Sequence, residues 1–392
     1  MLHHFVRSAW LALCLCPLAH VQASDLEPAL TALQAVGPRG AGHAQAVAAL
    51  RQVSQASVAE LPRILAAMDD AGPLADNWLR GAAESVADRA IRSGAGLPAK
   101  RLERFMLDTH HDPDARRLAY ELLARIDDTA GERLIPGMLH DPGVDFRRDA
   151  VDRLLSQGER FSAANDRAAA KQIYLKAISG AVDDDQVKTL ARRLARLGHT
   201  VNLPRHFGFL MQWELIGPFD NTDRRGFAEV FPPETKLDFG ASYAGKAGAV
   251  HWVDFTTRSD DGKVDLNKTL GKANGVTAYA AAKFVAHQPG AVEVRLGTPN
   301  AHKLWLNGKL ISAREAYHAG TSMDQYTGRG RLKAGTNWIV LKICQNEQTE
   351  SWAQAWEFQL RVCDSTGAAI LSVDRPPETR PGSDENALNQ RP

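Results

Sequence analysis

The sequence predicts a multidomain chain, α then β: an α-solenoid of stacked helix pairs followed by an antiparallel β-sandwich, or jelly roll. Three observations predict it. Apolar side chains keep helical spacing up to about residue 204 and strand spacing from about residue 205. A helical phrase recurs with a period of about 30 residues in the first half. The second half alternates apolar and polar residues around an Asn-Gly turn.

In chain order, the N-terminus reads as a targeting segment. Met1 to Ser8 carries one firm positive charge, Arg7, and Ala9 to Ala19 is apolar. Val21-Gln22-Ala23 then supplies the small residues of a cleavage site, the order of a secretory signal peptide. The apolar run is shorter than the about 20 residues that span a bilayer. A secreted or periplasmic product, not membrane-spanning, is the expectation.

The helical half is clearest at Ala115 to Ile126. Ala115, Leu118, Ala119, Leu122, Leu123 and Ile126 share one helical face, behind Asp112-Pro113, a cap followed by a first-turn proline. The phrase recurs: Asp141-Pro142 precedes Arg147-Arg148 as Asp112-Pro113 precedes Arg116-Arg117, 31 positions earlier. A looser copy runs from Glu60 to Ala87. Each two-helix unit must bury its apolar face on a neighbour, which is the logic of a solenoid. From Asp166 to Ala177 and Lys188 to Leu197 a further helical hairpin is expected, ending at Gly198. His110, His111 and His140 near the Asp-Pro turns are read as loop histidines rather than metal ligands.

In the second half, Val250–Phe255, Ala278–His287, Val292–Leu296, Lys303–Leu306, Asn337–Cys344 and Trp356–Cys363 read as strands. Asn307-Gly308 is a two-residue type I′ turn. Trp305, Trp338 and Trp356 sit at alternating strand positions and read as core. Cys14 and Cys16 fall in the targeting segment, leaving Cys344 and Cys363, read as ends of one hairpin's strands. Whether they pair is left open.

Candidate ligand-binding residues lie between strands: Tyr317, His318, Asp324, Gln325, Gln345, Asn346 and Trp352. An aromatic face beside amides, a carboxylate and imidazole is the chemistry of sugar recognition, and Gln345 to Gln354 is a polar stretch with one Trp. Asp220-Asn221 and Asp260-Asp261 can serve as turn residues or hold a structural calcium; no other cofactor is implied. No P-loop, His-Glu-x-x-His, Gly-x-Ser-x-Gly or mature-chain Cys-x-x-Cys is present, so no catalytic residue and no enzyme activity is expected. The net charge of +1 argues against nucleic acid, which needs a basic stripe.

The Asp-Pro turns and Arg-Arg-x-Ala pattern of residues 60–158 resemble HEAT-like repeats, and the Asp166 hairpin looks like a tetratricopeptide unit. Trp213-Glu-Leu-Ile-Gly-Pro-Phe-Asp-Asn221, Gly226-Phe227, Phe231-Pro-Pro-Glu234, Gly245 to Gly248, Trp252 and Asp261 to Leu266 open a second resemblance. Ala278 to Ala280, Arg295 to Gly297, Leu304 to Gly308 and Gly335 to Lys342 complete it. Together these resemble galactose-binding-like jelly rolls of bacterial envelope proteins, similar to the sugar-binding domain of family 2 glycoside hydrolases. Many such modules brace a neighbour rather than bind sugar. The expected divisions are 1–23 signal peptide, 24–158 HEAT-like repeats and 159–204 tetratricopeptide-like hairpin closing the solenoid. A galactose-binding-like sandwich at 205–375 and a disordered tail at 376–392 follow. The implied function is an exported scaffold: helical repeats bind a protein partner, and the jelly roll docks on that partner or on glycan. A carbohydrate-binding accessory protein, or a hydrolase or lyase with a dispersed site, are the alternatives.

Overall fold

A computed structural model describes residues 26–375; the expected signal peptide and the tail from residue 376 lie outside the described residues. The chain divides into two compact units at Phe146/Arg147, within a helix, whereas strands begin only at Gln212.

The first unit holds α1 (Leu26–Gln34), α2 (His43–Val53), α3 (Leu61–Ala66), α4 (Pro73–Arg92), α5 (Ala99–Leu107), α6 (Pro113–Ala124) and α7 (Ala130–Leu134). Helices pack as pairs, α1 with α2, α3 with α4, α5 with α6, and each pair rests on the next through α4 and α6. The Asp112 carboxylate accepts from the amides of Asp114 (2.8 Å) and Ala115 (3.3 Å), capping α6 as the sequence predicts. Ala115, Leu118, Ala119, Leu122 and Leu123 are buried; Ile126, expected on that face, lies past the helix end and is exposed.

The recurrent Asp-Pro and Arg-Arg residues interlock. Arg116 is fully buried, its guanidinium clasped bidentately by Asp141 (2.9 and 2.7 Å) and its Nε donating to the Met106 carbonyl (2.7 Å). One phrase's arginine is thus neutralised by the next phrase's aspartate, which satisfies a charge that burial alone would forbid. Ion pairs between residues 30 to 37 positions apart line the surface: Arg63–Glu27 (2.6 Å), Arg125–Asp88 (2.6 Å) and Arg133–Glu103 (2.7 Å). Such exposed pairs add little energy but fix register. His111 stacks on Phe105 (3.8 Å) and bonds Asp69 through Nδ1 (2.8 Å), while His110 bonds Asp108 (2.9 Å).

The second unit takes most of α8 (Val144–Ala163), then α9 (Arg167–Gly180), α10 (Asp184–Arg196) and α11 (Leu203–Phe207). Helices α9 and α10 pack as a hairpin; α10 begins at Asp184, four residues before its expected start at Lys188. The negative charges of Asp184 and Asp185 suit a helix N-terminus.

The strands are β1 (Gln212–Asp220), β2 (Ser242–Ala244), β3 (Ala249–His251), β4 (Val253–Thr256), β5 (Val264–Asp265) and β6 (Val276–Ala286). They continue with β7 (Gly290–Gly297), β8 (Ala301–Leu306), β9 (Lys309–Arg314), β10 (Tyr326–Leu332), β11 (Gly335–Gln345) and β12 (Glu357–Cys363). Short helices α12 (Pro232–Thr235) and α13 (Leu266–Leu270) interrupt them. Pairing is antiparallel throughout: a six-stranded sheet β4-β1-β6-β11-β8-β9, a four-stranded sheet β10-β7-β12-β5, and the small ribbon β2-β3.

One core joins the two larger sheets, with Trp213, Phe284, Leu341 and Ile343 from one and Val294, Leu296, Phe358 and Leu360 from the other. Trp213 meets Phe358 edge-on at 4.9 Å. A second cluster on the outer face of the six-stranded sheet gathers Ile216, Phe219, Tyr279 and Trp252. Here the structure corrects the reading of the tryptophans. Trp356 is in the inter-sheet core, but Trp305 and Trp338 alternate to the outer face and are only partly buried. The expected strand Val250–Phe255 is likewise two strands, broken at Trp252 so that the indole covers the outer cluster.

Asn307 (φ 52°) and Gly308 (φ 79°) form the anticipated hairpin between β8 and β9. Cys344 and Cys363 do not end one hairpin. They lie in opposite sheets, both buried and both free.

Candidate functional site

Three loops of the second unit meet in one cluster of side chains: residues 221–227 after β1, 315–325 between β9 and β10, and 346–356 between β11 and β12. Beneath them the core ends in a polar layer. Gln345, the last residue of β11, is fully buried; its Oε1 accepts from Asn300 (2.6 Å) and its Nε2 donates to the Ala353 carbonyl (2.6 Å). Asn300 also donates to the Ala355 carbonyl (3.0 Å) and accepts from the Glu357 amide (3.1 Å). Two side-chain amides therefore pin both ends of the 346–356 loop. Gln345, a candidate ligand contact from sequence, is spent on that scaffold.

Asn346 is also buried. Its Oδ1 accepts from His318 Nε2 (2.8 Å) and its Nδ2 donates to Gln348 (2.7 Å). With the Asn346 amide so oriented, His318 Nε2–H is the donor of this bond. Trp352 stands edge-on to that imidazole at 5.2 Å and is 64% exposed. Tyr317 adjoins His318 at 6.5 Å, accepts from Asn221 Nδ2 (3.3 Å) and lies under the Arg224 guanidinium at 5.3 Å. Burial pushes the Tyr317 hydroxyl up to about 12, so it stays neutral.

The result is a row of flat groups: Arg224, Tyr317, His318, Trp352. Its backbone is held in unusual conformations. Asp223, Arg224 and His318 all have positive φ, at 55°, 62° and 58°. Each costs on the order of 1 kcal/mol and persists because surrounding bonds over-determine it. The Asp223 amide donates to Glu347 (2.5 Å), and Asn221 donates to the Gln345 carbonyl (2.9 Å). Such side chains are set before any ligand arrives.

Of the residues singled out from sequence, the structure brings together Tyr317, His318, Asn346 and Trp352, with Gln345 as their support. Asp324 and Gln325 lie at the far end of the 315–325 loop. Burial would raise Asp324, but bonds from Arg361 (2.7 and 2.5 Å) and Arg295 (2.9 Å) outweigh it and hold the carboxyl below its usual range. It anchors the loop. Gln325 accepts from the Thr298 amide (3.3 Å) and donates to the Gly320 carbonyl (3.3 Å).

Arg224 was not legible from sequence, because nothing local in Thr222-Asp-Arg-Arg225 tells which arginine folds back over Tyr317. Of the residues considered for calcium, Asp220 is bonded by Lys246 (3.3 Å) and Thr222 (2.7 Å) and Asp261 by Ser259, while the buried Asn221 Oδ1 has no hydrogen-bond partner among the described residues. Among the described residues no three His, Cys, Asp or Glu side chains converge as a metal site. No helix of the described residues is long and apolar enough to cross a membrane.

No family model matches the chain, and no curated protein matches it. Solved structures give slight similarities. A β-glucosidase from Kluyveromyces marxianus in complex with glucose is 17% identical over 39% of this chain and 16% of that one, with a TM-score of 0.25. An anti-sigma factor domain-containing protein is 13% identical over 43% of this chain and 46% of that one, TM-score 0.25. A GH31 α-xylosidase from Xanthomonas citri is 8% identical over 39% and 16%, TM-score 0.17. The chain thus spans less than half the length of each of these proteins, and likenesses this slight carry no argument about what it does.

Proposed function

We propose that the chain is an exported, non-catalytic binding protein whose galactose-binding-like jelly roll takes a saccharide on the Arg224–Tyr317–His318–Trp352 row. One observation carries this reading. Trp352, a large apolar side chain, stands 64% exposed, yet its neighbour His318 is fixed by a buried asparagine. An indole left in water on a rigid support suits the apolar face of a sugar ring, while imidazole, phenol and guanidinium supply hydrogen bonds to hydroxyls.

The HEAT-like helix pairs, read as an α-solenoid, then act as a surface for a protein partner. Leu74, Ile91, Leu107 and Ile126 are exposed apolar side chains on that unit and support this part of the reading. Proteolytic removal of residues 1–23 belongs to the same proposal.

The test is a polysaccharide and glycan-array screen followed by calorimetry. Trp352→Ala is expected to weaken binding by at least about tenfold while leaving the melting temperature unchanged, because the side chain supports no core. Undiminished binding by the variant, or no binding by the parent across neutral and acidic glycans, overturns the proposal.

A further inference from the structure

A pocket separate from the row of flat groups lies on the outer face of the four-stranded sheet. Strand β7 alternates Val292, Val294 and Leu296 into the core, which turns Glu293 and Arg295 outward. Register sets Thr327 of β10 and Arg361 of β12 beside Arg295, and Arg329 of β10 beside Glu293. Glu293, Arg295, Thr327 and Arg329, with Leu310, Ile311 and Ser365, line an open pocket of about 700 Å³, and Arg361 is buried beneath it.

Its apolar wall comes from the other sheet. The β8–β9 ladder pairs Leu304 with Ser312 and Trp305 with Leu310, so Ile311 is an extra, bulged residue. Gly328 and Gly330 of β10 make room for this edge. A Cβ on Gly328 would sit 2.8 Å from the Ile311 side chain, and one on Gly330 would sit 2.7 Å from Leu306. Leu310 remains 48% exposed at the mouth.

The charges decide which ligand fits. Glu293 Oε2 accepts from Arg295 (2.9 and 2.7 Å) and Oε1 from Arg329 Nε (3.1 Å). Both carboxylate oxygens are thus used, and little is left to hold a cation. Arg295 is further tied to Asp324 (2.9 Å). Arg329 differs: its side chain is 85% exposed, and within the described residues only its Nε is bonded. Its two terminal nitrogens form an open fork whose orientation is set by the Nε bond to a buried acid. The pocket lining holds two guanidiniums against one carboxylate.

We propose that this pocket binds a carboxylate carried on a compact body with one apolar face. The Arg329 fork takes the carboxylate end-on, the Thr327 and Ser365 hydroxyls flank it, and the body lies on Leu310. Two sources share this chemistry, a uronic acid and the C-terminal carboxylate of a peptide, and the test separates them.

The full chain is titrated by NMR and calorimetry with D-glucuronate and with N-acetyl-L-leucine. Methyl glucoside and N-acetyl-L-leucine amide are the uncharged controls. At least one acid is expected to bind with Kd below about 10 mM, and its uncharged partner at least about tenfold more weakly. Arg329→Gln, at an exposed position that leaves the fold intact, is expected to reduce that binding at least about tenfold; Trp352→Ala is expected to leave it unchanged. Binding of one acid alone supports the proposal and names the source. Binding of neither acid, equal binding of acid and control, or full retention by Arg329→Gln overturns it. Loss on Trp352→Ala also overturns it, because the ligand would then belong to the row of flat groups.

Discussion

At the scale of the residue, burial decides the charge of His302. It sits fully buried on the inner face of β8, with Nε2 bonded to Ser312 Oγ (3.1 Å) and the Tyr326 ring 4.4 Å away. Desolvation pulls its pKa down from 6.5 to about 4. Between those values the unfolded chain binds a proton that the folded chain refuses, so stability falls as pH drops from about 6.5 to about 4. The loss attributable to this group is on the order of 3 kcal/mol when complete. Replacing His302 with Gln keeps a hydrogen-bonding amide and removes the titration. Thermal midpoints measured from pH 7 to pH 4 are expected to fall less steeply in the variant than in the parent. Parallel curves would show that His302 does not titrate across this window. Arg361 illustrates the opposite solution. Equally buried, its guanidinium is met by Asp324 and by the Phe207 and Gly367 carbonyls.

At the scale of the element, one buried lysine ties a strap to the six-stranded sheet. Lys342, on the outer face of β11, donates to the Phe227 (3.3 Å) and Glu229 (2.6 Å) carbonyls and to Glu234 (2.7 Å), which also accepts from Tyr279 (2.5 Å). Burial lowers the lysine's pKa, and Glu234 offsets part of that. The segment so held, residues 222–235, carries Arg224 at its start. Lys342→Met leaves the Glu234 carboxylate buried without its cation, a loss of about 3–5 kcal/mol by comparison with other broken buried pairs. Denaturant titration is expected to show that loss, and hydrogen exchange to show residues 222–235 losing protection first. Adding Glu234→Gln to Lys342→Met is expected to restore part of the stability. If the single variant is as stable as the parent, the strap is held by its apolar contacts instead. Gly226 serves the same segment, since a Cβ there would lie 2.6 Å from the Asp220 carbonyl oxygen.

At the scale of the whole molecule, the two compact units give binding a local signature. A ligand that binds only the folded form raises the midpoint of the unit that holds it. Differential scanning calorimetry of the full chain with a saturating saccharide is therefore expected to move the transition of the strand-bearing unit. At about 100 times Kd the stabilisation is about 2.7 kcal/mol. The helical transition before Phe146 is expected to stay in place. A shift confined to the helical transition would place the saccharide elsewhere and end the Trp352 reading.

Local spacing in the sequence determined the order of helices before antiparallel strands, the α6 cap at Asp112 and the Asn307-Gly308 turn. These depend on neighbours within a few residues, where periodicity and φ preference act. The sequence also pointed to Tyr317, His318, Asn346 and Trp352, because aromatics, amides and imidazole gathered between strands are the chemistry of sugar recognition. Only the tertiary structure decided the rest. It put Trp305 and Trp338 on an outer face, Cys344 and Cys363 in opposite sheets, and Gln345 and Asp324 in supporting bonds. It alone laid Arg224 over Tyr317 and set Arg329 beside Glu293. These partners lie far apart along the chain, 36 residues for Glu293 and Arg329, 37 for Asp324 and Arg361 and 45 for Asn300 and Gln345. Pairing a charge or an amide across such distances depends on which strands become neighbours. Strand order follows from how the whole core closes, and no local spacing encodes it.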